Sequence, residues 1–355
     1  LVIGLAVTLS SCSGSPSATN TTSSSTTASV GSTTTSVRST GVSVASTSPV
    51  ASPGCRSGAR TPAGSRTLSF SSAGKSGTYI DDVPATSGTK PTPIVFDLHG
   101  YLESAAIEAV VSSLGAFGET HGFVTITPQT TETGYARWNF GPKSPDIAWL
   151  ATLLTHVEAS SCIDERRVFV TGISMGAFTT SAVACELSSR IAAVAPVAGL
   201  LALSWCHPSR PVPVVAFHGT ADPFVSFTGG LGPAARRLRY FGDPHLTIEQ
   251  AFKRHLVTGF SPLSVPERVA LWARRNGCGP TPARKRVAQD VTLYSYRCPA
   301  RAAVEFYVVI GGGHSWPGSP HPLPVPIVGR TTQSISADGI MWSFFMAHPL
   351  AGPIG

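Results

Sequence analysis

Ser174 stands between glycines in Gly172-Ile173-Ser174-Met175-Gly176, after the apolar run Val168-Phe169-Val170-Thr171 and before a helical pattern beginning at Ala177. A serine on such a strand-to-helix turn can act as a nucleophile, because flanking glycines permit the sharp bend and the hydroxyl is held clear of the strand end. The pentapeptide is weak evidence in a chain with 35 glycines among 355 residues. Its chemistry requires a general base and a carboxylate that orients the base, reached after later strands. Pro213-Val214-Val215-Ala216-Phe217-His218-Gly219-Thr220-Ala221-Asp222 is an apolar strand ending in a turn that carries an acid. Val304-Glu305-Phe306-Tyr307-Val308-Val309-Ile310 leads into Gly311-Gly312-Gly313-His314. The order Ser174, Asp222, His314 predicts acyl transfer through a covalent acyl-enzyme, with no metal and no organic cofactor. Asp290 competes with Asp222, and His218 and His321 compete with His314. Position after the strands favours Asp222 and His314.

The same chemistry needs two backbone donors for a tetrahedral oxyanion, one from the residue after the nucleophile and one from the loop after an early strand. Met175 supplies the first. Ile94-Val95-Phe96-Asp97-Leu98-His99-Gly100-Tyr101 supplies the second through Tyr101, with Gly100 leaving room for substrate.

These residues must be carried by alternating elements. Strands are predicted at Ile94–Leu98, Phe123–Thr127, Val168–Thr171, Ala192–Val197, Val212–Phe217 and Val304–Ile310, with edge strands at Thr67–Phe70 and Thr78–Ile80. Helices are predicted at Ala105–Thr120, Ser144–Glu158, Ala177–Ser188, Pro266–Arg275 and Ile335–Ala347. The alternation implies an α/β fold, a mainly parallel sheet with helices on both faces. The stretch from Phe227 to Pro266 breaks the rhythm and reads either as a lid or rim, with Phe224, Tyr240 and Phe241 as first contacts, or as an insertion without a substrate role.

With the motifs in place the chain resembles the secreted esterases similar to polyhydroxybutyrate depolymerase and feruloyl esterase, including LpqC-like bacterial lipoproteins. The resemblance runs from about Cys55 to the C-terminus. It is carried by Leu98-His99-Gly100-Tyr101, Arg137-Trp138-Asn139-Phe140-Gly141, the turn around Ser174, Ala193-Val194-Ala195-Pro196-Val197-Ala198-Gly199, Phe217-His218-Gly219-Thr220-Ala221-Asp222 and Gly311-Gly312-Gly313-His314-Ser315-Trp316-Pro317-Gly318. It implies an α/β-hydrolase fold as a single catalytic domain, a serine esterase acting on polyesters or on feruloyl or acetyl esters of polysaccharides, and no cofactor. Met175 departs from the asparagine common in such relatives, which touches substrate preference rather than the amide's role. Trp138, Phe224 and Trp316 are candidate substrate contacts, with plain core as the alternative for the tryptophans. The competing functions are a peptidase of the same fold and a surface-anchored binding protein that has lost catalysis.

Residues 1–11 read as a lipoprotein-type signal: Leu1 to Leu9 is an apolar run, and Leu9-Ser10-Ser11-Cys12 is similar to a lipobox, with Cys12 as the lipidation site and the membrane as the partner it implies; the alternative is an ordinary secretory signal cleaved elsewhere. Residues 12–53 are rich in Ser and Thr and read as a flexible stalk, leaving 54–355 as the catalytic domain. The protein is therefore expected to be extracellular or lipid-anchored at the cell surface. Seven cysteines are odd, and setting Cys12 aside leaves six, which can pair in an oxidising compartment. Chain order and the resemblance imply Cys55–Cys162, Cys185–Cys206 and Cys278–Cys298. A net charge of +7 gives a basic surface, but without base-stacking aromatics among the basic clusters it argues against nucleic-acid binding.

Overall fold

The computed structural model of the protein describes residues 47–56, 61–88, 90–131, 136–256 and 262–351. The expected leader, Cys12 and the expected stalk up to residue 46 lie outside the described residues. In chain order the strands are β1 (Gly64–Ser72), β2 (Lys75–Val83), β3 (Thr92–Leu98), β4 (Val124–Thr130), β5 (Ile163–Ile173), β6 (Ala193–Val197), β7 (Val214–Gly219), β8 (Arg239–Tyr240), β9 (Asp243–Thr247), β10 (Ala283–Ala288), β11 (Val291–Ser295) and β12 (Val304–Val309). The helices are α1 (Ala105–Ser112), α2 (Leu114–His121), α3 (Pro145–Ser160), α4 (Met175–Glu186), α5 (Pro233–Arg237), α6 (Ile248–Lys253), α7 (Val265–Arg275), α8 (Val325–Val328) and α9 (Ala337–Ala347).

Ten strands form one sheet in the order β1-β2-β4-β3-β5-β6-β7-β12-β11-β10. The six from β4 to β12 run parallel, flanked by antiparallel strands at both edges. Parallel strands are buried on both faces, which is why their sequences read as continuous apolar runs. Alternate β3 residues divide between two cores. Ile94, Phe96 and Leu98 pack with Trp149 and Leu153 of α3, Phe178 of α4 and Trp272 of α7. Val95 packs on the opposite face with Val111 of α1 and Met341 and Phe345 of α9. Each large apolar side chain withdrawn from water contributes roughly 1.5–3 kcal/mol. Phe169 and Phe345 stack at 4.5 Å across the second core.

Three departures from the sequence expectations have physical causes. The predicted helix Ala105–Thr120 is two helices, broken at Ser113, whose φ is 57°. The break lets α2 come close to β2 at Gly115, where a Cβ would overlap the Asp82 carboxylate. The second departure is the β10–β11 hairpin, absent from the predicted strands because β10 shows no buried alternation. Third, ordered pairing already exists within the stretch assigned to the stalk. Ser52 N donates to Ile163 O at 2.9 Å, and Val50 N reaches Asp164 Oδ1 at 3.0 Å. The open edge at the start of β5 supplies this register, which Ser/Pro-rich composition does not signal.

Disulfides join Cys55 to Cys162, Cys185 to Cys206 and Cys278 to Cys298. The second ties α4 to the segment after β6, so the helix that begins at the serine turn is covalently fixed to its neighbour.

Beneath the C-terminal end of β3 lies a buried acidic pair. Asp97 and Glu108 are both fully buried, and Ser112 Oγ donates to Asp97 Oδ2 at 2.6 Å. Burial pushes Asp97 up from 3.8 to about 7, against the hydrogen bonds from Ser112 and Glu108, and raises Glu108 well above its ordinary value. The folded protein therefore keeps a proton that the unfolded chain releases. The stability this provides is complete below the unfolded aspartate value and is lost as pH rises towards about 7. Asp97→Asn should flatten the fall in melting temperature between pH 4 and about 7; thermal melts across that window that keep the wild-type slope would count against a proton held on Asp97.

Candidate active site

β5 delivers Ser174 to the start of α4 with φ 57° and ψ −118°. An L-residue in that region stores strain of about 1–3 kcal/mol, so the surroundings must impose it. They do so by close backbone contact. A Cβ on Gly172 or Gly176 would overlap the Leu98 carbonyl oxygen at the end of β3, and one on Gly199 would lie 2.5 Å from Ser174 O. Ser174 N donates to Val197 O at 3.0 Å, and Ser174 O accepts from Phe178 N at 3.0 Å. The turn is thus clamped between the ends of β3 and β6.

Asp222 follows β7 and His314 follows β12, neighbouring parallel strands whose ends bring the two side chains together. His314 Nδ1 and Asp222 Oδ2 are 2.7 Å apart. A carboxylate only accepts, so Nδ1 carries the proton and Nε2 is left to act as a base. The other carboxylate oxygen accepts from the amides of Phe224 at 2.8 Å and Val225 at 2.9 Å. His218 Nε2 lies 3.3 Å from Asp222 Oδ2 and 2.9 Å from Val225 O. Burial raises Asp222, but the His314 charge and hydrogen bond, with His218 and the Val225 amide, bring it below the usual carboxylate range. Burial alone would lower His314; attraction to Asp222, their hydrogen bond and the nearby Glu103 together raise it. Burial lowers His218 and keeps it neutral as a structural partner of Asp222. The other competitors lie elsewhere: Asp290 pairs with Arg330 at 2.9 Å, and His321 is exposed. Among the described residues no hydrogen bond joins Ser174 to His314, a contact that in unliganded hydrolases often tightens only with substrate.

The loop after β3 is fastened from several sides. His99 Nδ1 donates to Gly100 O at 2.8 Å, Trp138 Nε1 to His99 O at 3.0 Å, and Leu102 N to Ala136 O at 3.0 Å. Burial lowers His99 to about 4, so its ring is neutral. Gly100 N donates to Glu103 Oε2 at 2.8 Å. Sequence reasoning missed Glu103, whose only signal was a carboxylate three residues beyond Gly100. Met175 opens α4, where the first amides have no partner within the helix. Its sulfur accepts from Trp138 N at 3.3 Å, so Trp138 supports both sides of the site.

Of the three aromatic residues expected at the substrate, Phe224 is half-buried with its ring 5.0 Å from that of His314. Trp138 and Trp316 are instead buried, with exposures of 2% and 1%. Trp138 Nε1 is spent on His99 O, and Trp316 Nε1 donates to Asp338 Oδ1 at 2.7 Å. Both rings act as supports. The described part of 227–266 forms α5, the β8–β9 hairpin and α6, and it meets the loop after β3 where Tyr101 Oη donates to Arg239 O at 2.8 Å. Phe241 there lies 6.5 Å from Tyr101 and 4.7 Å beneath the Arg137 guanidinium. The described part of the segment packs against the loop after β3 through these contacts. Among the described residues no cluster of three or more metal-binding side chains occurs, and no helix is long and apolar enough to cross a membrane.

A mainly parallel sheet with the strained serine turn after β5, the acid after β7 and the histidine after β12 defines an α/β-hydrolase fold. Comparison with known proteins adds esterase relatives to this class. No family model matches the chain. It is 25% identical over 240 residues to feruloyl esterase B of Piromyces equi, covering 64% of this chain and 40% of that protein. It is 25% identical over 240 residues to poly(3-hydroxyalkanoate) depolymerase C of Paucimonas lemoignei, covering 64% of this chain and 56% of that protein. The chain thus spans about half the length of these relatives. The solved acetyl xylan esterase of Aspergillus awamori shares the fold, with a TM-score of 0.53 at 16% identity, over 79% of this chain and 99% of that one.

Gly176→Ala should destabilise the protein by on the order of 3 kcal/mol, because the methyl group must displace the Leu98 backbone; an unchanged melting curve would contradict the clamp. The rate of fluorophosphonate labelling at Ser174 should rise with pH to a midpoint above 6.5, where His314 becomes neutral. In Asp222→Asn that rate should fall by about 10³- to 10⁴-fold, and labelling that ignores Asp222 would remove it from the site.

Proposed function

We propose that the protein is a serine carboxylic ester hydrolase similar in action to polyhydroxybutyrate depolymerases and feruloyl esterases. The observation that carries this reading is the 2.7 Å Asp222–His314 contact, formed on adjacent strands of the sheet that ends in the strained Ser174 turn.

Ser174 attacks the acyl carbon while His314 Nε2 accepts the hydroxyl proton, and Asp222 holds the imidazole in the tautomer that makes this possible. The amides of Met175 and Tyr101 stabilise the oxyanion as the carbonyl π bond opens. His314 then protonates the departing alcohol, water attacks the acyl-enzyme with His314 again as base, and the free acid leaves. The cycle needs no cofactor. Phe224 packs against His314 from the rim side, which favours an acyl or alcohol group with an apolar face.

The names of the relatives support esters of polysaccharides, feruloyl or acetyl, or a polyester as substrates. In this reading residues 1–11 are a lipoprotein signal, Cys12 carries the lipid, 12–53 include the stalk and the catalytic domain follows. The protein then works outside the cell, at the surface, where its three disulfides persist.

Hydrolysis of an acetyl, a butyryl, an oligomeric 3-hydroxybutyryl and a feruloyl ester by the full chain, each against Ser174→Ala, tests the reading. Turnover should occur with the wild type, and the fastest ester identifies the acyl class. Equal inactivity of folded wild type and variant on all four would overturn the simple esterase.

A further inference from the structure

Glu103 lies at the junction of the two halves of the proposed machinery. Its Oε2 accepts from Gly100 N at 2.8 Å, and its own amide donates back to Gly100 O at 3.4 Å, closing the turn that carries the Tyr101 amide. The point where a Gly100 Cβ would sit is overlapped by Glu103 Oε2 and lies 3.3 Å from Ser174 Cβ, so the carboxylate and the serine flank one small space. The same carboxylate acts on the His314 charge. We infer that Glu103 is a positioning residue for the proposed ester hydrolysis, holding the Gly100 peptide so that the oxyanion donor is preformed and setting a second negative charge beside His314.

The two roles are separable. An acceptor on Gly100 N fixes the peptide whether or not it is charged, since the amide N–H can donate to a carboxylate or, more weakly, to an amide oxygen. Charge acts on His314 through space: imidazolium forms when Ser174 gives up its proton, and a second carboxylate favours that form. The groups facing His314 are Asp222, Glu103 and His218; those facing Glu103 are His314 and, beneath the loop, Asp97 and Glu108. The protons held by the buried pair limit the like charge below Glu103. Burial raises Glu103 above its ordinary range, and the Gly100 amide and His314 restrain that rise.

Glu103→Gln keeps the acceptor and removes the charge, whereas Glu103→Ala removes both. With the best ester of the panel, Glu103→Gln should keep kcat within a few-fold of wild type while the acid limb of kcat/KM moves to lower pH. Glu103→Ala should lose about 10- to 100-fold in kcat with KM little changed. A ring-NMR titration of His314, assigned with His314→Asn, should show the same downward shift in Glu103→Gln without any turnover. Its result therefore stands even if every ester of the panel fails, which would sink the proposed hydrolysis alone. An unshifted His314 in Glu103→Gln overturns the electrostatic role, and equal kcat losses in folded Gln and Ala variants, or none in either, overturn the positioning role.

Discussion

The close approach of Gly172 and Gly176 to the carbonyl end of β3 is the constraint on which the rest of the site depends. Two strand ends can meet at backbone distance only where side chains are missing, and the meeting drives Ser174 into its unusual conformation. The contact also determines where the following loop can go. Because Leu98 is pinned, His99, Gly100 and Tyr101 leave the strand directly beside the serine, and the hydrogen bonds donated by His99 and Trp138 and accepted by Glu103 then hold that short path. One packing event therefore places the nucleophile and the loop opposite it together.

Around this clamp the carboxyl groups are graded by their partners. Asp222 has a histidine and two amides and stays ionised although buried. Asp97 and Glu108, equally buried, have each other and a hydroxyl, so they retain protons. Asp338, which receives the Trp316 indole N–H, is pushed up to about 7 by burial as Asp97 is. The same side-chain chemistry thus gives an anchor for a base in one place and neutral packing in another, decided by the donors within reach.

Much of this was legible in the sequence for identifiable reasons. Parallel strands buried on both faces announce themselves as apolar runs, and the residues that end β5, β7 and β12 could be aligned with an ordered set of roles. Where the period failed, so did the reading. Ser113 interrupts a helical pattern whose apolar spacing continues across the break, and nothing local marks the left-handed residue. β10 has no buried face to alternate with. Trp138 and Trp316 were legible as large aromatics near the site, but their indole N–H groups point to His99 and Asp338, and hydrogen-bond direction has no sequence period. Glu103 escaped because a loop carboxylate looks like solvent decoration until the amide it accepts from is known.

The outermost strand, β10, carries Arg284, Lys285 and Arg286 in exposed positions at one end of the ten-stranded sheet. An unpaired edge invites a second molecule to extend the ladder. Here such an encounter brings the cationic triplet against its own copy at strand spacing, well inside a screening length of about 8 Å in physiological salt. Like charges at that spacing repel, so the cationic edge opposes this pairing of β10 with itself, and added salt weakens the opposition.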